Sequence, residues 1–362
     1  MGSAPFHPNI KEISMKKKQT PKAYASKSGL LAVGTFVVDY QKRVDHYPAE
    51  RLSSQILSEQ ISNGGAPLNI LIDLAKLNVD FPLFAAAKVG QDLDGKYIID
   101  CCTENKIDIT QIKAIEGANT GYTDVYTTVT NGKHTCFHFC GIGDTFSRED
   151  VKVRAVNPKM LFLGSLGALG NMDVFNPKFG RKGATQLLRY ARKHNITTVA
   201  EIAPIDRTAN LDQFAETLAE TDYLIINDRL TESFLRTELY SESQFDPHLS
   251  KEAANKLLTY GIRKAVIIQS GMSAIYVGTD GTTHHQLGFF LPWDQRAGSA
   301  GVDHAFIAGF LEGLYHEKPI DLMLRQGLAA STLCRRDLTP SGAIKPLREC
   351  MDFCGKLTTS AI

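Results

Sequence analysis

The chain has 362 residues, of which 43% are hydrophobic and 22% are charged, and this composition supports a full buried core and excludes a disordered tail. Lysine and arginine total 40 against 39 for aspartate and glutamate, a formal net charge of +1. This balance gives no reason to expect a nucleic-acid or membrane partner, and we expect a small-molecule ligand. Seven cysteines are too few for a disulfide framework, which favours a reducing, cytoplasmic location.

The first 28 residues differ in composition from the rest of the chain. They contain lysine at positions 16, 17, 18, 22 and 27 and almost no apolar periodicity. Such a segment cannot bury an apolar face and is typical of a flexible basic extension. We expect residues 1–28 to form that extension and residues 29–357 to form one folded domain.

An alternation of apolar strands and amphipathic helices follows. The run over residues 30–38 is apolar and partly β-branched, as in a parallel strand that is buried on both faces, and Asp39 ends it. A helix is predicted over 66–77, where apolar residues recur at helical spacing. Further strands are predicted at 82–89, 160–163, 197–202, 223–227 and 265–269, and further helices at 94–104, 182–194, 251–260, 303–315 and 320–333. This pattern predicts a three-layer α/β/α domain with a mainly parallel central sheet.

Two stretches, 40–62 and 121–140, interrupt this alternation. The second is rich in threonine, valine and tyrosine, and Asn131 and Gly132 are placed within it as a hairpin turn. Ligands of open α/β sheets bind at the carboxyl ends of the strands, and extra strands reached from those ends can cover the ligand. We expect the two stretches to form a small β-lid.

A glycine pair precedes the first predicted helix in the sequence GGAPLN (64–69). Gly64 and Gly65 allow the backbone to approach a polar ligand closely, and Asn69 lies one turn into the helix, where its amide can bond to that ligand. The alternative is a tight loop before a helix-surface asparagine, because a glycine pair before a helix is common.

A second small-residue loop precedes the helix predicted at 303–315. It consists of Gly298, Ser299, Ala300 and Gly301. Such a loop offers unpaired N–H groups and the positive end of a helix dipole to an anion such as phosphate. Its sequence is neither GxGxxG nor GxxxxGK[ST], so a dinucleotide-binding fold and a P-loop NTPase both lose support.

Several motifs, in this order along residues 30–350, resemble those of the ribokinase-like (PfkB) carbohydrate and nucleoside kinases. The last of them resembles the second family signature, G-A-G-D followed by a small residue and phenylalanine. The motifs are VGTFVVD (33–39), GGAPLN (64–69), KVGQDLDG (88–95), LIIN (224–227), IIQSG (267–271) and AGSAGVDHAFIAGFL (297–311).

The resemblance implies a ribokinase-like fold, a β-lid that closes over a sugar, and ATP-dependent phosphorylation of a sugar hydroxyl with Mg²⁺ beside the nucleotide. It implies sugar-binding roles for Asp39, Gly64, Gly65 and Asn69. It implies phosphate or ATP contacts for Gly298, Ser299, Ala300, Gly301, Asn227 and Gly271. Relatives of this kind often form homodimers through the lid, so the resemblance leaves a homodimer through the lid open.

The chain departs from the family pattern at the expected reaction centre. Gly301 and Gly309 keep the spacing of the signature, and G-A-G-D becomes Gly301, Val302, Asp303 and His304. A neutral imidazole at His304 can accept a proton near neutral pH. Asp303 replaces a glycine of the anion hole, where a carboxylate repels phosphate, and the rotation of about 100° per helical residue prevents it from replacing the base. Without the family, the same residues suggest a helix start at which Asp303 caps and His304 is solvated.

The N-x-x-E motif of the family is altered as well. Asn227 is followed by Asp228, Arg229 and Leu230. The glutamate that the family uses to organise Mg²⁺ and phosphate is therefore missing, and Leu230 weakens the implied Mg²⁺ site.

Four potential metal ligands alternate along the second lid segment. They are His134, Cys136, His138 and Cys140, and their spacing places them on one face of a strand. Residues that follow one another about 7 Å apart along one strand cannot surround a single ion, so packing in the lid is favoured over zinc. No metal site is predicted from these residues.

Two functions remain open from the sequence. The first is an ATP-dependent sugar kinase whose turnover is impaired and in which His304 is an unusual base. The second is a catalytically inactive protein that keeps a sugar or nucleotide pocket. Loss of a general base typically costs about 10²–10⁴ in rate and loss of an anion-hole donor about 10²–10³, so sugar binding is expected to survive better than turnover.

Overall fold

The computed structural model describes residues 26–203, 210–242 and 244–359. Residues 1–25 of the expected basic extension lie outside this part of the chain. None of the helices in the described ranges has the length and apolar character needed to cross a membrane.

Strands and helices alternate along most of the chain. Up to residue 166 the elements are β1 (Leu30–Val33), β2 (Val37–Val44), β3 (Ile56–Gly64), α1 (Ala66–Lys76), β4 (Leu83–Gly90), α2 (Leu93–Glu104), β5 (Asp108–Ile115), β6 (Gly121–Thr128), β7 (His134–Phe139), α3 (Val153–Val156) and β8 (Met160–Leu166). The following elements are β9 (Phe175–Asn176), β10 (Arg181–Lys182), α4 (Gly183–Lys193), β11 (Thr197–Ile202), α5 (Ala215–Leu218), β12 (Tyr223–Asn227), α6 (Asp228–Leu235), β13 (Tyr240–Ser241), β14 (Gln244–Phe245), α7 (Pro247–Leu258), β15 (Ala265–Gln269), β16 (Ser273–Gly278), β17 (Thr283–Leu287), α8 (Val302–Tyr315), α9 (Ile320–Cys334) and α10 (Leu347–Cys354).

Nine strands form the central sheet in the order β17-β16-β15-β12-β11-β8-β1-β4-β5. All neighbours from β15 to β5 pair in parallel, whereas β16 pairs antiparallel with both β15 and β17 at one edge. The carboxyl ends of β1, β8, β11, β12 and β15 therefore meet at one edge of the sheet, which is where ligands of such sheets bind.

Apolar layers cover both faces of this sheet. In β1, Leu30 and Ala32 belong to the layer that contains Phe306 of α8, whereas Leu31 and Val33 belong to the layer that contains Leu187 of α4. Successive side chains of a strand point to opposite faces, so one apolar strand contributes to both layers. The predicted three-layer architecture is confirmed.

The chain leaves the central sheet where one continuous strand, 30–38, was predicted. That prediction was wrong: β1 ends at Val33, β2 begins at Val37, and the two belong to different sheets. Gly34 between them has a φ of 148°, and a Cβ there would lie 2.8 Å from Cγ of Pro67. An apolar pattern does not record where a strand changes sheets, and Asp39 consequently lies within a lid strand.

The lid is a four-stranded sheet in the order β3-β2-β6-β7. Its strands include most of the two stretches, 40–62 and 121–140, that interrupt the alternation in the sequence. The connection from β6 to β7 contains Gly132 with a φ of 65°. Strand β2 pairs in parallel with β6 and antiparallel with β3. The short segment between β1 and β2 is one of the places where the chain passes between the central sheet and the lid.

Several elements were absent from the sequence-based prediction. Strands β5, β16 and β17 and helices α6 and α10 are the principal ones. The side chain of Asn227 caps α6 by accepting a hydrogen bond from the N–H of Leu230 (2.8 Å). Helix α7 begins at Pro247 rather than residue 251, because the side chain of Asp246 caps it. These helix starts carry capping signals that apolar periodicity does not detect.

Candidate functional site

A cavity of about 490 Å³ lies between the lid and the carboxyl ends of the central strands. The central strands contribute Ser165, Glu201, Asn227 and Gln269 to its wall. The lid contributes Asp39, Thr123, Val125, His134, Cys136 and His138, and the starts of α1 and α8 contribute Ala66, Asn69, Asp303 and His304. The cavity therefore lies at the edge of the sheet where the topology predicts a ligand.

Asp39 lies on β2 and is only 8% exposed. Burial raises the pKa of its carboxyl to about 8, and a hydrogen bond with Thr123 on the neighbouring strand opposes this rise. At neutral pH the carboxyl is mostly protonated. It can therefore both donate a hydrogen bond to a ligand hydroxyl and accept one.

The two glycines before α1 have different surroundings. Gly64 does not lie on the cavity wall, but a Cβ there would lie 2.0 Å from Oδ1 of Asp39. Gly65 lies on the wall with a φ of 81°, and a Cβ there would lie 2.3 Å from the carbonyl oxygen of Thr35. Gly64 thus leaves room for the Asp39 carboxyl, and Gly65 permits the close turn into α1.

Three side chains form a chain of hydrogen bonds beside the cavity. Nδ2 of Asn63 donates to Oδ1 of Asn69 (2.7 Å), and Nδ2 of Asn69 lies 3.1 Å from Nδ1 of His304. Because Asn63 occupies the oxygen of Asn69, the amide nitrogen faces the imidazole and Nδ1 of His304 is the acceptor. A neutral His304 consequently carries its proton on Nε2.

The other ring nitrogen of His304 faces Glu201. Nε2 lies 3.8 Å from Oε1 of Glu201, which also accepts a hydrogen bond from the N–H of Ser165 (3.2 Å). Burial lowers the pKa of His304, opposed by the charge of Asp303, whereas burial and Asp303 raise the pKa of Glu201 to about 8. Both groups are largely uncharged at neutral pH, so His304 has no ionised carboxylate to strengthen it as a base.

The side chain of Asp303 is held on the cavity wall by two amides. Nε2 of Gln269 donates to its Oδ1 (2.7 Å) and Nδ2 of Asn227 donates to its Oδ2 (2.8 Å). The alternative in which Asp303 caps α8 is wrong, because Gly301 occupies the N-cap position and no side chain caps that helix. An anion bound next to Asp303 would meet a carboxylate rather than free amide protons.

The small-residue loop before α8 lies partly on the cavity wall. Ser299, Ala300 and Gly301 line the cavity and Gly298 does not. The hydroxyl of Ser299 donates to the carbonyl oxygen of Gly132 in the lid turn (3.1 Å) and lies 2.9 Å from Nδ1 of His134. The loop that the sequence assigns to phosphate is thereby joined to the lid.

The remaining residues that the resemblance assigns to the nucleotide lie in different surroundings. The side chain of Asn227 accepts a hydrogen bond from the N–H of Leu230, which caps α6, and donates one to Asp303. Gly271 lies away from the cavity wall, and a Cβ there would lie 2.2 Å from Nη2 of Arg335. Leu230 lines the cavity with an apolar side chain, which cannot coordinate a cation. The residues at this position do not fit Mg²⁺.

The alternating histidines and cysteines form part of the inner surface of the lid. His134, Cys136 and His138 line the cavity, and Nδ1 of His138 lies 3.0 Å from Oγ1 of Thr123. Cys140 follows the end of β7 and lies on a separate surface depression. In the described part of the chain, no group of three or more His, Cys, Asp or Glu side chains is placed to hold a metal ion.

Two wall residues, Glu201 and Gln269, were missed by sequence reasoning. Each is a polar residue near the carboxyl end of an apolar strand, in TTVAEI (197–202) and AVIIQ (265–269). That position at the carboxyl ends of parallel strands is the signal that could have identified both.

Fold and cavity together define an α/β protein with a β-lid over a ligand site at the carboxyl edge of a mainly parallel sheet. The model for the pfkB family of carbohydrate kinases matches residues 27–345. The chain belongs to this family, as the sequence motifs indicate. Its ribokinase-like fold is the fold of kinases that use ATP and Mg²⁺.

Solved structures show the same fold at low sequence identity. A ribokinase from Giardia lamblia matches with a TM-score of 0.74 at 18% identity, over 92% of this chain and 99% of that one. The Arabidopsis thaliana ribokinase in complex with ribose and ATP has a TM-score of 0.71 at 17% identity, over 91% and 99%. A Burkholderia thailandensis nucleoside kinase in complex with inosine has a TM-score of 0.69 at 14% identity, over 92% and 100%.

Proposed function

We propose that the protein binds a polyhydroxy molecule of the sugar or nucleoside class in the cavity and that its ATP-dependent phosphoryl transfer is strongly impaired. One end of the cavity, which we call the sugar end, is formed by Asp39, Gly65 and Asn69. It supports binding because these three residues lie together on the wall. Asp39 and the Thr123 hydroxyl beside it offer both donors and acceptors to hydroxyl groups.

The hydrogen bonds and the tautomer of His304 support the proposal that phosphoryl transfer is impaired. Its Nδ1 accepts from Asn69 and its Nε2 carries the proton that faces Glu201. Neither nitrogen is free to take a proton from an acceptor hydroxyl, and burial lowers the pKa of the ring further. General-base catalysis needs an available basic atom within hydrogen-bond reach of the reacting hydroxyl.

Asp303 opposes transfer from the phosphate side. Its carboxyl is fixed on the wall by Asn227 and Gln269, next to the loop that would hold the phosphate. Fixed negative charge at this position destabilises the extra negative charge of a transferring phosphoryl group, whereas the family relies on bare amide donors there.

A kinase that keeps ordinary turnover and uses His304 as its base is the competing function. The side chain of His304 is 24% exposed and lines the cavity. This function requires Asn69 to release Nδ1, or the ring to adopt the other tautomer with Nε2 free.

Calorimetric titration and a coupled ADP-release assay on the same preparation test the proposal. Ribose, fructose, adenosine and 2-keto-3-deoxygluconate are the titrants, each with and without MgATP. We expect saturable binding of at least one titrant together with ADP release near the background of a protein-free reaction. ADP release at the rate of an ordinary sugar kinase contradicts the impaired transfer, and absence of binding by every titrant contradicts the proposed ligand class.

A further inference from the structure

We call the end of the cavity near the start of α8, where Asp303 and His304 lie, the reaction-centre end. This end has more hydrogen-bond acceptors than donors. Glu201, Gln269 and Asp303 lie there on three different elements, and we call these three residues the acidic end. Gln269 is only 1% exposed, and its Oε1 is buried without a hydrogen-bond partner among the described residues. Its amide orientation is fixed, because Nε2 donates to Asp303 (2.7 Å).

An unpartnered buried carbonyl and two carboxyl groups are costly in a protein interior. A buried acceptor without a donor loses hydration that nothing else in the fold replaces, and buried carboxyl groups are normally hydrogen-bonded or paired with a cation. Asp303 has two amide partners, and Glu201 has the N–H of Ser165 at 3.2 Å, the side chain of Ser165 and the approach of His304 at 3.8 Å. The acidic end therefore lacks donors that a ligand can supply.

Positive charge is also missing from this wall. Among the described residues that line the cavity there is no lysine and no arginine. The three histidines on the wall, His134, His138 and His304, each have a pKa that burial lowers, so they are neutral at neutral pH. Arg335 interacts with Asp303 electrostatically but makes no ion pair within 4.0 Å with any described residue and is not on the wall.

We propose that the acidic end binds a protonated primary amine, so that the natural ligand is an amino sugar or another amine-bearing polyhydroxy compound. This inference rests on the proposed function, because the sugar end must hold the hydroxyl groups of the same molecule. An ammonium group brings three donors and one positive charge, which matches the carboxylate of Asp303, the acceptor oxygens of Glu201 and the free carbonyl oxygen of Gln269. A phosphate or a carboxylate at this place would bring only further acceptors and negative charge.

The geometry places the amine toward His304 rather than toward Asp39. Glu201 and Asp303 both line the cavity beside His304, so a cation there meets the negative charge of Asp303 and the oxygens of Glu201. Asp39 at the sugar end has Thr123 as a partner instead. The amine therefore occupies the place that the transferred phosphoryl group takes in an active kinase.

The test compares amines with their matched parents on the full-length protein. D-glucosamine, D-galactosamine and 5′-amino-5′-deoxyadenosine are titrated calorimetrically against D-glucose, D-galactose and adenosine, at a slightly acidic pH where the amines are protonated. The N-acetyl forms of the two amino sugars serve as neutralised amines. We expect at least one amine to bind about tenfold or more tightly than its parent, a difference of 1.4 kcal/mol, and its neutralised form to lose that gain.

Two isosteric variants locate the effect. Asp303→Asn and Glu201→Gln should each reduce the preference of the amine over the parent severalfold. Asp100→Asn, on an exposed face where Asp100 pairs with Lys96, should leave the preference unchanged. Because a variant of the buried wall can fold poorly, salt dependence of the wild-type protein is measured as well: high NaCl should weaken binding of the amine and not of its parent.

The outcomes separate this inference from the proposed function. Parents that bind as tightly as their amines, or a preference that persists in both carboxyl variants, overturn the amine inference and leave the proposed polyhydroxy ligand standing. Failure of every amine and every parent to bind overturns both. Rapid ADP release with a parent sugar overturns the impaired transfer alone.

Discussion

The two ends of the cavity differ in how closely they follow the family. At the sugar end, Asp39, Gly65 and Asn69 keep the family motif and lie together on the wall. At the reaction-centre end, Asp303 and His304 replace the glycine and aspartate of the second signature. The difference is that the sequence follows the family motif at one end of the cavity wall and departs from the second signature at the other.

The replacement residues are integrated with their surroundings. His304 is hydrogen-bonded to Asn69 of the sugar end, and Asp303 is hydrogen-bonded to Asn227 and Gln269. Both side chains are therefore held in place by hydrogen bonds to neighbouring residues. A reversal of the sequence change therefore also removes the carboxyl group to which Asn227 and Gln269 now donate.

Restoration of the family residues should give the largest effect. The triple variant Asp303→Gly, His304→Asp and Leu230→Glu supplies an anion-hole backbone, a carboxylate base and an acid for Mg²⁺. We expect ADP release with the best-binding sugar to rise by about 10²-fold or more, because the base alone is worth about 10²–10⁴. The coupled ADP assay measures this rise.

A matched control for the triple variant keeps the same three positions and removes only the chemistry. Replacing the new base by asparagine should return ADP release to the wild-type value while sugar binding persists. A triple variant that binds sugar but turns over no faster than wild type would show that the limitation lies outside the reaction-centre end.

Removal of the carboxyl at the sugar end should weaken binding of neutral polyols. Asp39→Ala leaves ligand hydroxyls and Thr123 without a partner, and each unsatisfied polar group costs about 1–3 kcal/mol, or about tenfold to a hundredfold in affinity. Titration of ribose or adenosine measures the loss. Comparable weakening of a neutral polyol by Asp303→Ala would contradict the division of the cavity into two ends.

A smaller loss is expected from Gly64→Ala, although Gly64 does not touch the cavity. The added Cβ would lie 2.0 Å from Oδ1 and 2.4 Å from Cγ of Asp39, so the carboxyl must move. We expect affinity for the same polyol to fall about threefold to tenfold, since a displaced hydrogen-bonding group is weakened rather than lost. Gly355→Ala, with its nearest neighbour at 3.3 Å, is the control and should leave affinity unchanged.

The pH dependence of stability should show a buried carboxyl at each end. Asp39 and Glu201 both have a pKa raised to about 8 in the folded protein, against about 4 in an unfolded chain. Between these two pH values the folded state therefore binds more protons than the unfolded state. The contribution of the neutral carboxyls to the free energy of unfolding is lost as the pH rises toward and through 8. We expect the melting temperature to fall between pH 6 and pH 9.

Isosteric variants identify the groups that cause this fall. Glu201→Gln and Asp39→Asn should each make the melting temperature less sensitive to pH, and Asp100→Asn on the exposed surface should not. A melting temperature that rises toward pH 9 would contradict the raised pKa values at both ends.

Much of the central sheet could be predicted from the sequence, because its buried strands are short apolar runs and its helices have apolar spacing. The strand predicted at 223–227 coincides with β12, and the one at 265–269 coincides with β15. Edge strand β17 could not be recognised in the same way, since its sequence THHQL is mostly polar and none of its residues is buried. The break between β1 and β2 was hidden because Val37 and Val38 at the start of β2 continue the apolar run of β1.

Within the candidate site, the sequence alone identified Asp39, Asn69, Asp303 and His304 as wall residues, since each stands in a motif of fixed spacing. It did not reveal Glu201 or Gln269. Their significance depends on the nearness of β11 and β15 to the start of α8, far away along the chain. Contacts of this kind are long-range and leave no local pattern.

The sequence by itself determined the layered α/β architecture and the lid segments, because burial on a strand or helix imposes a local period. Its resemblance to the family motifs indicated the change of residue types at the expected reaction centre. Only the tertiary structure decided the tautomer of His304, the two amide partners of Asp303 and the acceptor-rich character of the acidic end. These properties depend on distances of about 3 Å between side chains that are far apart in the chain, and hydrogen bonding acts only at such distances.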